Sequence, residues 1–407
     1  MQDSTIALKR PGKRAARPLL SWLHDRKVRG LLLQLLLAAA LLWLGYVGVS
    51  NAVANLKAAN IASGFGFLAN TAGFDINQSL IPYGGATSTY GDAFVVGLLN
   101  TLLVAAIGIV LATLIGFVVG IARLSSNVVV AAVATLYVET LRNLPLLLQI
   151  FFWYSAVLVA LPAARESLHL ADWVFLNNRG LYLPFVNIDG PAWPLWLVLA
   201  LAVLGYVLAR RLALRARLRA RLRGGRPYPA RAMALALFAA VLGAGLLAAD
   251  PAATLELPRF RGFGFSGGLR IYPEMVALVV ALSTYTAAFI AEIVRAGIGA
   301  VGQGQREAAV ALGLSPRQTQ SLVITPQALR VIIPPLTSQF LNLTKNSSLA
   351  VAIAYPDLVQ VFMGTVLNQT GRAVEIVSIT MAVYLAISLV TSALMGVYNR
   401  RVRLVER

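Results

Sequence analysis

Residues 93–122 read AFVVGLLNTLLVAAIGIVLATLIGFVVGIA, a stretch of 30 residues with no charged side chain and no proline. The hydrocarbon core of a bilayer is about 30 Å thick, so a helix of roughly 20 apolar residues spans it. The stretch therefore predicts a transmembrane helix. The whole composition agrees, since 58% of the residues are hydrophobic and only 13% are charged, against about 25% charged in soluble domains.

Eight apolar runs of this kind occur in the 407-residue chain, and they predict an all-α, polytopic membrane protein with about eight transmembrane helices. The third run is too long for one crossing and contains Pro145, which predicts a kink or a split into an amphipathic and a spanning part. The seventh run is polar in its first half. The runs lie near residues 31–54, 93–122, 128–161, 195–208, 232–249, 273–293, 332–354 and 376–397.

The net charge of +19 first suggests a polyanion partner, but its distribution predicts an orientation. Of the 35 basic residues, 27 fall on one side of the eight predicted crossings and 7 on the other, with Lys345 inside the membrane. By the positive-inside rule, both termini and the arginine-rich loop from Arg210 to Arg231 are cytoplasmic. Binding of RNA or anionic lipid headgroups by this loop remains an alternative.

The chain divides into segments around these crossings. We expect a membrane core in two parts, separated by a peripheral helix pair that carries the arginine-rich cytoplasmic loop. The expected boundaries are 1–30 for a cytoplasmic basic leader, 31–92 for the first helix and an outer segment, 93–162 for the first core part, 163–272 for the peripheral pair, 273–398 for the second core part with its loop at 298–330, and 399–407 for a cytoplasmic tail.

The sequence has few of the side chains that enzyme active sites commonly use. Cysteine is absent and His24 and His169 are the two histidines, so Cys/His metal sites and thiol nucleophiles are excluded or nearly so. A phosphate-binding GxxxxGK[ST] loop does not occur. We therefore expect a chain that binds no cofactor and that, if it moves a solute uphill, takes the energy from another polypeptide. A secondary transporter driven by an ion gradient is an alternative class of protein with the same topology. Such transporters typically have paired inverted repeats with broken helices, which are not found in this sequence.

The most informative segment follows the sixth crossing and reads RAGIGAVGQGQREAAVALGLSPRQTQSLVITPQALRVIIPPL over residues 295–336. It predicts two short helices. The first ends at Gly313, and the second begins with Ser315 as N-cap and Pro316 at the first helical position and ends before Pro334 and Pro335. Small residues that face outward together favour either a docking element for a cytoplasmic subunit or plain surface packing.

This segment resembles the EAA loop of binding-protein-dependent ABC importer permeases, whose pattern is EAA-x3-G-x9-I-x-L-P. Glu307, Ala308, Ala309, Gly313 and Pro326 stand at the matching positions, while Val323 and Thr325 replace Ile and Leu. Flanking stretches are similar to the polar amino acid permeases: 98–108, 137–154, 286–297, 304–316, 326–336 and 343–358. Within that family, the eight-crossing layout and the stretches 61–68 and 342–353 look like the Q-type permeases of general L-amino-acid ABC transporters.

The resemblance implies a type I ABC importer permease core in the bacterial inner membrane, acting as a non-catalytic subunit in L-amino-acid import. It implies two ATPase subunits that bind ATP and Mg²⁺, a periplasmic amino-acid-binding protein, and a second permease of the M type that completes a heterodimer. ATPase coupling would pass through Arg306, Glu307, Ala308, Ala309, Gly313 and Pro326.

Polar residues at membrane depth are the candidates for the substrate pathway. A charge at the bilayer centre costs about 2.5 to 3.5 kcal/mol on insertion scales, so Lys345 either faces a polar pathway or belongs to an ion pair or carbonyl cluster. Arg142 either pairs with Glu139 on one helix face or lines the inner mouth with Asn143. The predicted pathway residues are Thr344, Lys345, Asn346, Ser347, Ser348, Arg142 and Asn143.

Overall fold

A computed structural model describes residues 26–58, 64–169, 173–189, 193–222, 230–249 and 252–402. Most of the predicted leader and tail, and the end of the arginine-rich loop, lie outside the described residues. The α-helices are α1 (Arg26–Ala58), α2 (Tyr90–Ala122), α3 (Val128–Asn143), α4 (Leu146–Phe151), α5 (Trp193–Leu222), α6 (Ala230–Ala249), α7 (Pro273–Gly299), α8 (Gln303–Ala311), α9 (Pro316–Gln318), α10 (Thr325–Asn346), α11 (Leu367–Thr370) and α12 (Ala373–Val402).

Four of the described helices are long and apolar enough to cross a membrane, namely the spans Val28–Asn51, Tyr90–Ala122, Pro273–Gly299 and Ala373–Tyr398. The pair Val128–Asn143 and Leu146–Leu158 passes the same test together, which makes up to five. The chain is therefore a multi-pass membrane protein. Helices α5, α6 and α10 occupy the remaining predicted runs, and the total of eight crossings stays a prediction.

The third run is broken at Pro145, as the sequence predicted. The two helices meet at an angle of 107°, because Leu144 takes an extended conformation before the proline. The Gln149 side chain donates to the carbonyl oxygens of Leu141 and Leu144 at 3.0 and 3.1 Å, which satisfies backbone groups freed by the break. A π-helical segment, Phe152–Leu158, continues the second half.

Helices α2 and α7 form the centre of the core. Two glycines of α2 allow the close approach, since a Cβ on Gly116 would lie 2.6 Å from Ile290 and one on Gly120 would lie 2.7 Å from the Ala291 carbonyl oxygen. Small residues at four-residue spacing are the common means by which membrane helices pack closely. The later glycine meets the later α7 residue, so the two helices run parallel.

Helix α10 does not end before Pro334 and Pro335, and that prediction was wrong. Both prolines lie inside a helix that continues to Asn346. Their rings are on the exposed side of α10, whereas Ile332 and Leu336 are buried in the core. Packing of that buried face holds the helix together although the prolines remove two backbone donors, a compromise that membrane helices tolerate.

Beyond α10 the chain turns back in short pieces. A 3₁₀ segment, Ser347–Ile353, ends at Ala354, which has a left-handed conformation with φ of 56°. The π-helical segment Gln360–Val366 and α11 then lead to Gly371, where α12 starts its return. Leu358 and Phe362 in this stretch are fully buried in a second apolar cluster.

The fold is mostly helical, but it is not all-α as predicted. Among the described residues, eight short strands lie between α4 and α5 and between α6 and α7: β1 (Leu168–His169), β2 (Phe175–Asn177), β3 (Gly180–Leu183), β4 (Phe185–Asp189), β5 (Ala252–Glu256), β6 (Arg259–Arg261), β7 (Gly264–Ser266) and β8 (Leu269–Ile271). Strands of two to five residues give no periodic signal of their own, and β3 and β4 pair with strands far along the chain, so these strands could not be predicted from the sequence.

Strands β1–β8, called the arch below, connect the peripheral helix pair to the core. Strand β3 pairs antiparallel with β8, which leads into α7. Strand β4, which precedes α5, pairs antiparallel with β5, which follows α6. The β6–β7 hairpin leaves the arch between β5 and β8. Because β8 precedes α7 whereas α8 follows it, the arch and α8 lie on opposite sides of the membrane.

Candidate functional site

The segment after α7 folds locally for reasons that its sequence explains. Helix α8 ends with two hydrogen bonds, from Gly313 N–H to the Val310 carbonyl at 2.9 Å and from Leu314 N–H to the Ala309 carbonyl at 3.1 Å. This pattern requires a left-handed residue just beyond the helix, and Gly313 has φ of 73°. The predicted end of the first helix is confirmed.

The second predicted helix start is also confirmed. The Ser315 hydroxyl accepts from Gln318 N–H, and the Gln318 side chain accepts from Ser315 N–H at 2.9 Å, so that each residue satisfies the other's free backbone donor. Pro316 occupies the first turn of α9. A π-helical segment, Thr319–Ile324, joins α9 to α10 without a break.

Helix α8 packs against the π-helical segment Thr319–Ile324 that leads into α10, and one polar contact joins it to α10 itself. Ala309 of α8 is buried, as is Ile324 at the end of that segment. The Gln327 side-chain nitrogen donates to the Gln305 side-chain oxygen at 3.2 Å, which joins the two helices directly. Helix α8 is thus connected to α10 through the intervening segment and through this hydrogen bond.

Apolar side chains at the end of α8 and on the segments that follow it are exposed. Leu312 is 81% exposed and Val310 is 67% exposed, and Leu322 on the following segment is 65% exposed. A groove of about 840 Å³ beside them is lined by Val301, Gln303, Arg306, Glu307 and Val310, among others. Exposed apolar groups outside the membrane spans, next to charges, are typical of a protein contact surface.

The predicted coupling residues divide between the two sides of this element. Arg306, Glu307, Ala308 and Gly313 are exposed, whereas Ala309 faces inward and is buried. Pro326 lines a separate groove between the loop and α10. Ala309 thus holds α8 against the core, and the exposed residues are those available to a partner.

The polar stretch at the end of α10 is arranged in an unexpected way. The hydroxyls of Thr344, Ser347 and Ser348 donate to carbonyl oxygens three or four residues earlier, at 2.7 to 2.8 Å, so each is satisfied within its own chain segment. Thr344 and Ser347 are buried, and Asn346 and Ser348 are half-buried. Lys345 is exposed and forms no ion pair with any described residue.

The other two predicted pathway residues are on α3. The Arg142 guanidinium lies over the Phe289 ring of α7, 5.2 Å from its centre. Asn143 is exposed and donates to the Glu139 carbonyl at 2.7 Å. The predicted Glu139–Arg142 pair is not formed, since the Glu139 carboxylate is 3.6 Å from Arg123 of α2 instead.

An ion-pair network joins α2, α3 and α7 at the ends nearest α8, and the sequence analysis missed it. Arg123 pairs with Glu292 as well as Glu139, and Glu292 also pairs with Arg295. The Arg123 side chain is only 10% exposed, while that of Arg295 is 43% exposed. The network fixes the junction from which the chain continues into α8.

Replacing Arg123 by Met should loosen this junction. The substitution removes a charge-assisted hydrogen bond to Glu292 and the ion pair with Glu139 in a poorly hydrated position, with an expected cost of about 2 kcal/mol. The thermal midpoint of the detergent-solubilised chain measures it. Arg295→Met is the matched control, because that guanidinium is well hydrated and a solvated pair contributes about 1 kcal/mol or less. Equal losses in the two variants would contradict the structural role of Arg123.

A second missed feature is a buried polar cluster between α2, the segment after α10, and α12. Asp357 is fully buried and accepts from Gln360 N–H at 2.8 Å and from the Tyr384 hydroxyl at 3.3 Å. The Asn100 side chain donates to the Pro356 carbonyl at 2.9 Å, and Leu358 N–H donates to the Thr101 hydroxyl at 3.0 Å. The stretches 98–108 and 343–358 resembled the family, but their mutual contact was not predictable from spacing.

The surface on the arch side of the core is covered by residues 64–89. Gly64 N–H donates to the Glu375 carboxylate at 2.7 Å, and Arg372 donates to the Gly64 carbonyl at 2.6 Å. Burial, with the nearby carboxylates of Asp75 and Asp92, raises the pKa of Tyr83 to about 12. Its phenol therefore stays protonated and donates to the Phe74 carbonyl at 3.0 Å.

Comparison with known proteins supports a single family. Residues 227–404 match the family described as "Binding-protein-dependent transport system inner membrane component". A putative amino-acid ABC transporter permease, YhdX of Escherichia coli, is 50% identical over 93% of this chain and 95% of its own length. The general L-amino acid transport system permease AapQ of Rhizobium johnstonii is 46% identical over 95% of each chain. The glutamate/glutamine/aspartate/asparagine permease BztB of Rhodobacter capsulatus is 42% identical over 95% of this chain and 96% of its own.

Proposed function

Since the chain belongs to the binding-protein-dependent transport system inner membrane components, among the permeases of amino-acid ABC transporters, we propose that it forms part of the membrane pathway of an importer for L-amino acids. The chain is the non-catalytic permease subunit. ATP and Mg²⁺ would be bound by partner ATPase subunits, and this chain would convert their movement into opening and closing of the pathway.

The exposed apolar surface of α8 is the observation that carries the coupling role. Leu312 and Val310 project from a helix that is capped at its end and attached to α10, so a partner that contacts them moves α10 as well. Glu307 and Arg306 beside them would orient that partner by charge. ATP-driven movement shifts the pathway only if this contact differs in strength between two states.

The pathway itself would be built from α2, α7, α10 and α12 together with those of a second permease. The relatives named above transport amino acids as a broad class or as an acidic and amide set, and from them we infer a general L-amino-acid range. The exposed Lys345 at the end of α10 is placed to meet a substrate carboxylate or the second permease, with Thr344, Asn346, Ser347, Ser348, Arg142 and Asn143 as further candidates.

The proposed orientation puts α8 in the cytoplasm and the arch outside. The basic residues support it, because 27 of 35 fall on the α8 side by count. The coupling loop then faces the ATPases, and residues 64–89 with the arch face an extracytoplasmic binding protein. This arrangement corresponds to multi-pass insertion in a bacterial inner membrane with both termini cytoplasmic.

The energy source of amino-acid uptake distinguishes the proposed ABC importer from a secondary transporter. The chain is co-reconstituted into vesicles with a partner permease, ATPase and binding protein from the same source, and uptake of a radiolabelled L-amino-acid mixture is followed. We expect uptake that requires ATP and the ATPase and that continues after an ionophore dissipates the proton gradient. Uptake without the ATPase that stops with the ionophore would instead support a secondary transporter, and nothing in the structure or the relatives favours that function.

A further inference from the structure

A cavity of about 810 Å³ lies where the ends of α2, α7 and α10 meet, next to α8. Its walls are mostly apolar and include Phe117 of α2, Val294 and Ile298 of α7, and Ala328 and Ile332 of α10. Ligand pockets in proteins usually have volumes of about 300 to 1,000 Å³. The cavity is therefore large enough to bind a ligand, and the proposed transport function does not require one there.

The cavity lies at the level where the membrane spans end. The uncharged part of α2 ends at Ala122, and the ion-pair network of Arg123, Glu292 and Arg295 begins directly after it. Phe117 lines the cavity on the apolar side of this level, whereas α8, which contributes to the other side, lies outside the candidate spans. The cavity therefore adjoins both the hydrocarbon core and the headgroup layer of a bilayer.

Apolar residues at the rim of the cavity are exposed, and they belong to membrane spans. Ile121 at the end of α2 is 57% exposed and Val130 at the start of α3 is 43% exposed, and both lie within candidate spans. An apolar cavity does not hold ordered water, but it binds apolar groups of suitable size. Since the rim is in the bilayer, an acyl chain of a neighbouring lipid is the apolar group that reaches it.

Other residues that line the cavity are polar or basic. Ser125, Gln320 and Thr325 provide hydroxyl and amide groups, and Arg306 of α8 provides a positive charge. None of the ion pairs between described residues includes Arg306. The neighbouring Glu307 lines the groove beside α8 but not the cavity. The charge of the lining therefore favours an anionic group beside the acyl chain.

We propose that the cavity binds an anionic phospholipid, with an acyl chain between α2, α7 and α10 and the phosphate at Arg306. A guanidinium forms strong charge-assisted hydrogen bonds to phosphate oxygens, and the polar side chains of Ser125, Gln320 and Thr325 match the further oxygens of a glycerol headgroup. The inference goes beyond the proposed function, because it depends on neither the energy source nor the substrate. A bound lipid would contact α8 and α10 at once, so membrane composition would influence the coupling segment.

The test uses this chain assembled with a partner permease and the ATPase in phosphatidylcholine vesicles, without ATP. The probe is a phosphatidylglycerol analogue with a photoreactive group in its acyl chain, and the labelled residues are located by peptide mass spectrometry. We expect labelling within 117–130 and 325–332. Excess unlabelled phosphatidylglycerol should abolish it, whereas phosphatidylcholine or oleate at the same concentration should not.

Two pairs of variants examine the headgroup contact and the acyl-chain contact. Arg306→Gln should lower the labelling about fivefold, the effect of one basic residue close to anionic lipid. Its matched control is Arg317→Gln, an exposed arginine of α9 that does not line the cavity. Ile121→Trp fills part of the cavity and should also lower the labelling, whereas Val118→Trp, one turn earlier on α2 and 69% exposed, should not. Gel filtration establishes that each variant is still assembled.

Each outcome decides. Labelling confined to other stretches, or equal labelling of the Arg306→Gln and Arg317→Gln chains, overturns the lipid site. Equal competition by phosphatidylcholine indicates a site for any acyl chain, and competition by oleate alone indicates a fatty acid; both overturn an anionic phospholipid. Labelling that occurs only without the partner permease shows that this partner fills the cavity. Because labelling needs no ATP and no amino acid, it is independent of whether the assembled chain imports amino acids.

Discussion

A chain carrying Gly313→Arg should insert at normal levels and lose at least about a hundredfold of its ATP-driven uptake. A non-glycine residue in the left-handed conformation costs roughly 1–2 kcal/mol, which distorts the end of α8. The long cation then projects beside Leu312, on the surface proposed to receive the ATPase. Losing several kcal/mol of docking energy corresponds to a loss of this size, at 1.4 kcal/mol for each factor of ten.

The control is Gly313→Asn, because asparagine is the residue that most readily replaces glycine at this type of helix end. No heavy atom lies within 4 Å of a Cβ at this position, so the smaller side chain should leave uptake within about twofold of wild type. Membrane levels are measured by quantitative immunoblot beside uptake. Normal uptake by the arginine variant at a normal level would contradict the coupling role of this turn.

The second large effect is expected from Gly120→Leu. The Cβ alone would lie 2.7 Å from the Ala291 carbonyl oxygen and 2.8 Å from Val294, so α2 and α7 must move apart. Overpacking of a tight core costs about 3 kcal/mol at the upper end of its usual range. We expect a lower thermal midpoint and a reduced membrane level of the chain, because α3, α4 and α10 also pack against α7.

The matched control is Gly45→Leu, the same exchange in another membrane span. Helix α1 is unpacked at that position, with no heavy atom within 4 Å of a Cβ. Its thermal midpoint should equal that of wild type. A Gly120→Leu chain as stable as the Gly45→Leu chain would show that the α2–α7 contact has room for a larger side chain.

The structural features that could be predicted from the sequence depend on residues that are close together in the chain. The run 93–122 contains enough apolar residues for a span, and α2 follows it closely. Pro145 removes a backbone donor and restricts Leu144, so a break there follows from one residue. The turn at Gly313 and the cap at Ser315 likewise depend on residues within five positions of each other. Such features need no knowledge of the rest of the fold.

Long-range contacts explain what was missed. Glu139 was expected to pair with Arg142 because they share a helix face, yet the chain brings Arg123 to it from another helix. The burial of Asp357 depends on Tyr384 and on α2, more than 250 residues earlier in the chain. The helix α10 passes through two prolines because its buried side is packed. Pairings across this distance cannot be deduced from spacing.

The β3–β8 ladder has a further consequence for how the chain is assembled. Leu183 and Leu269 are paired across it. The chain between these two residues therefore starts and ends at neighbouring backbone positions. Residues 184–268 are therefore an insert in the loop of a single hairpin, and a two-residue turn would close the gap that their removal leaves. The peripheral helices, their arginine-rich connection and the β6–β7 hairpin could be lost or acquired together, as a cassette, without altering the path of the remaining core.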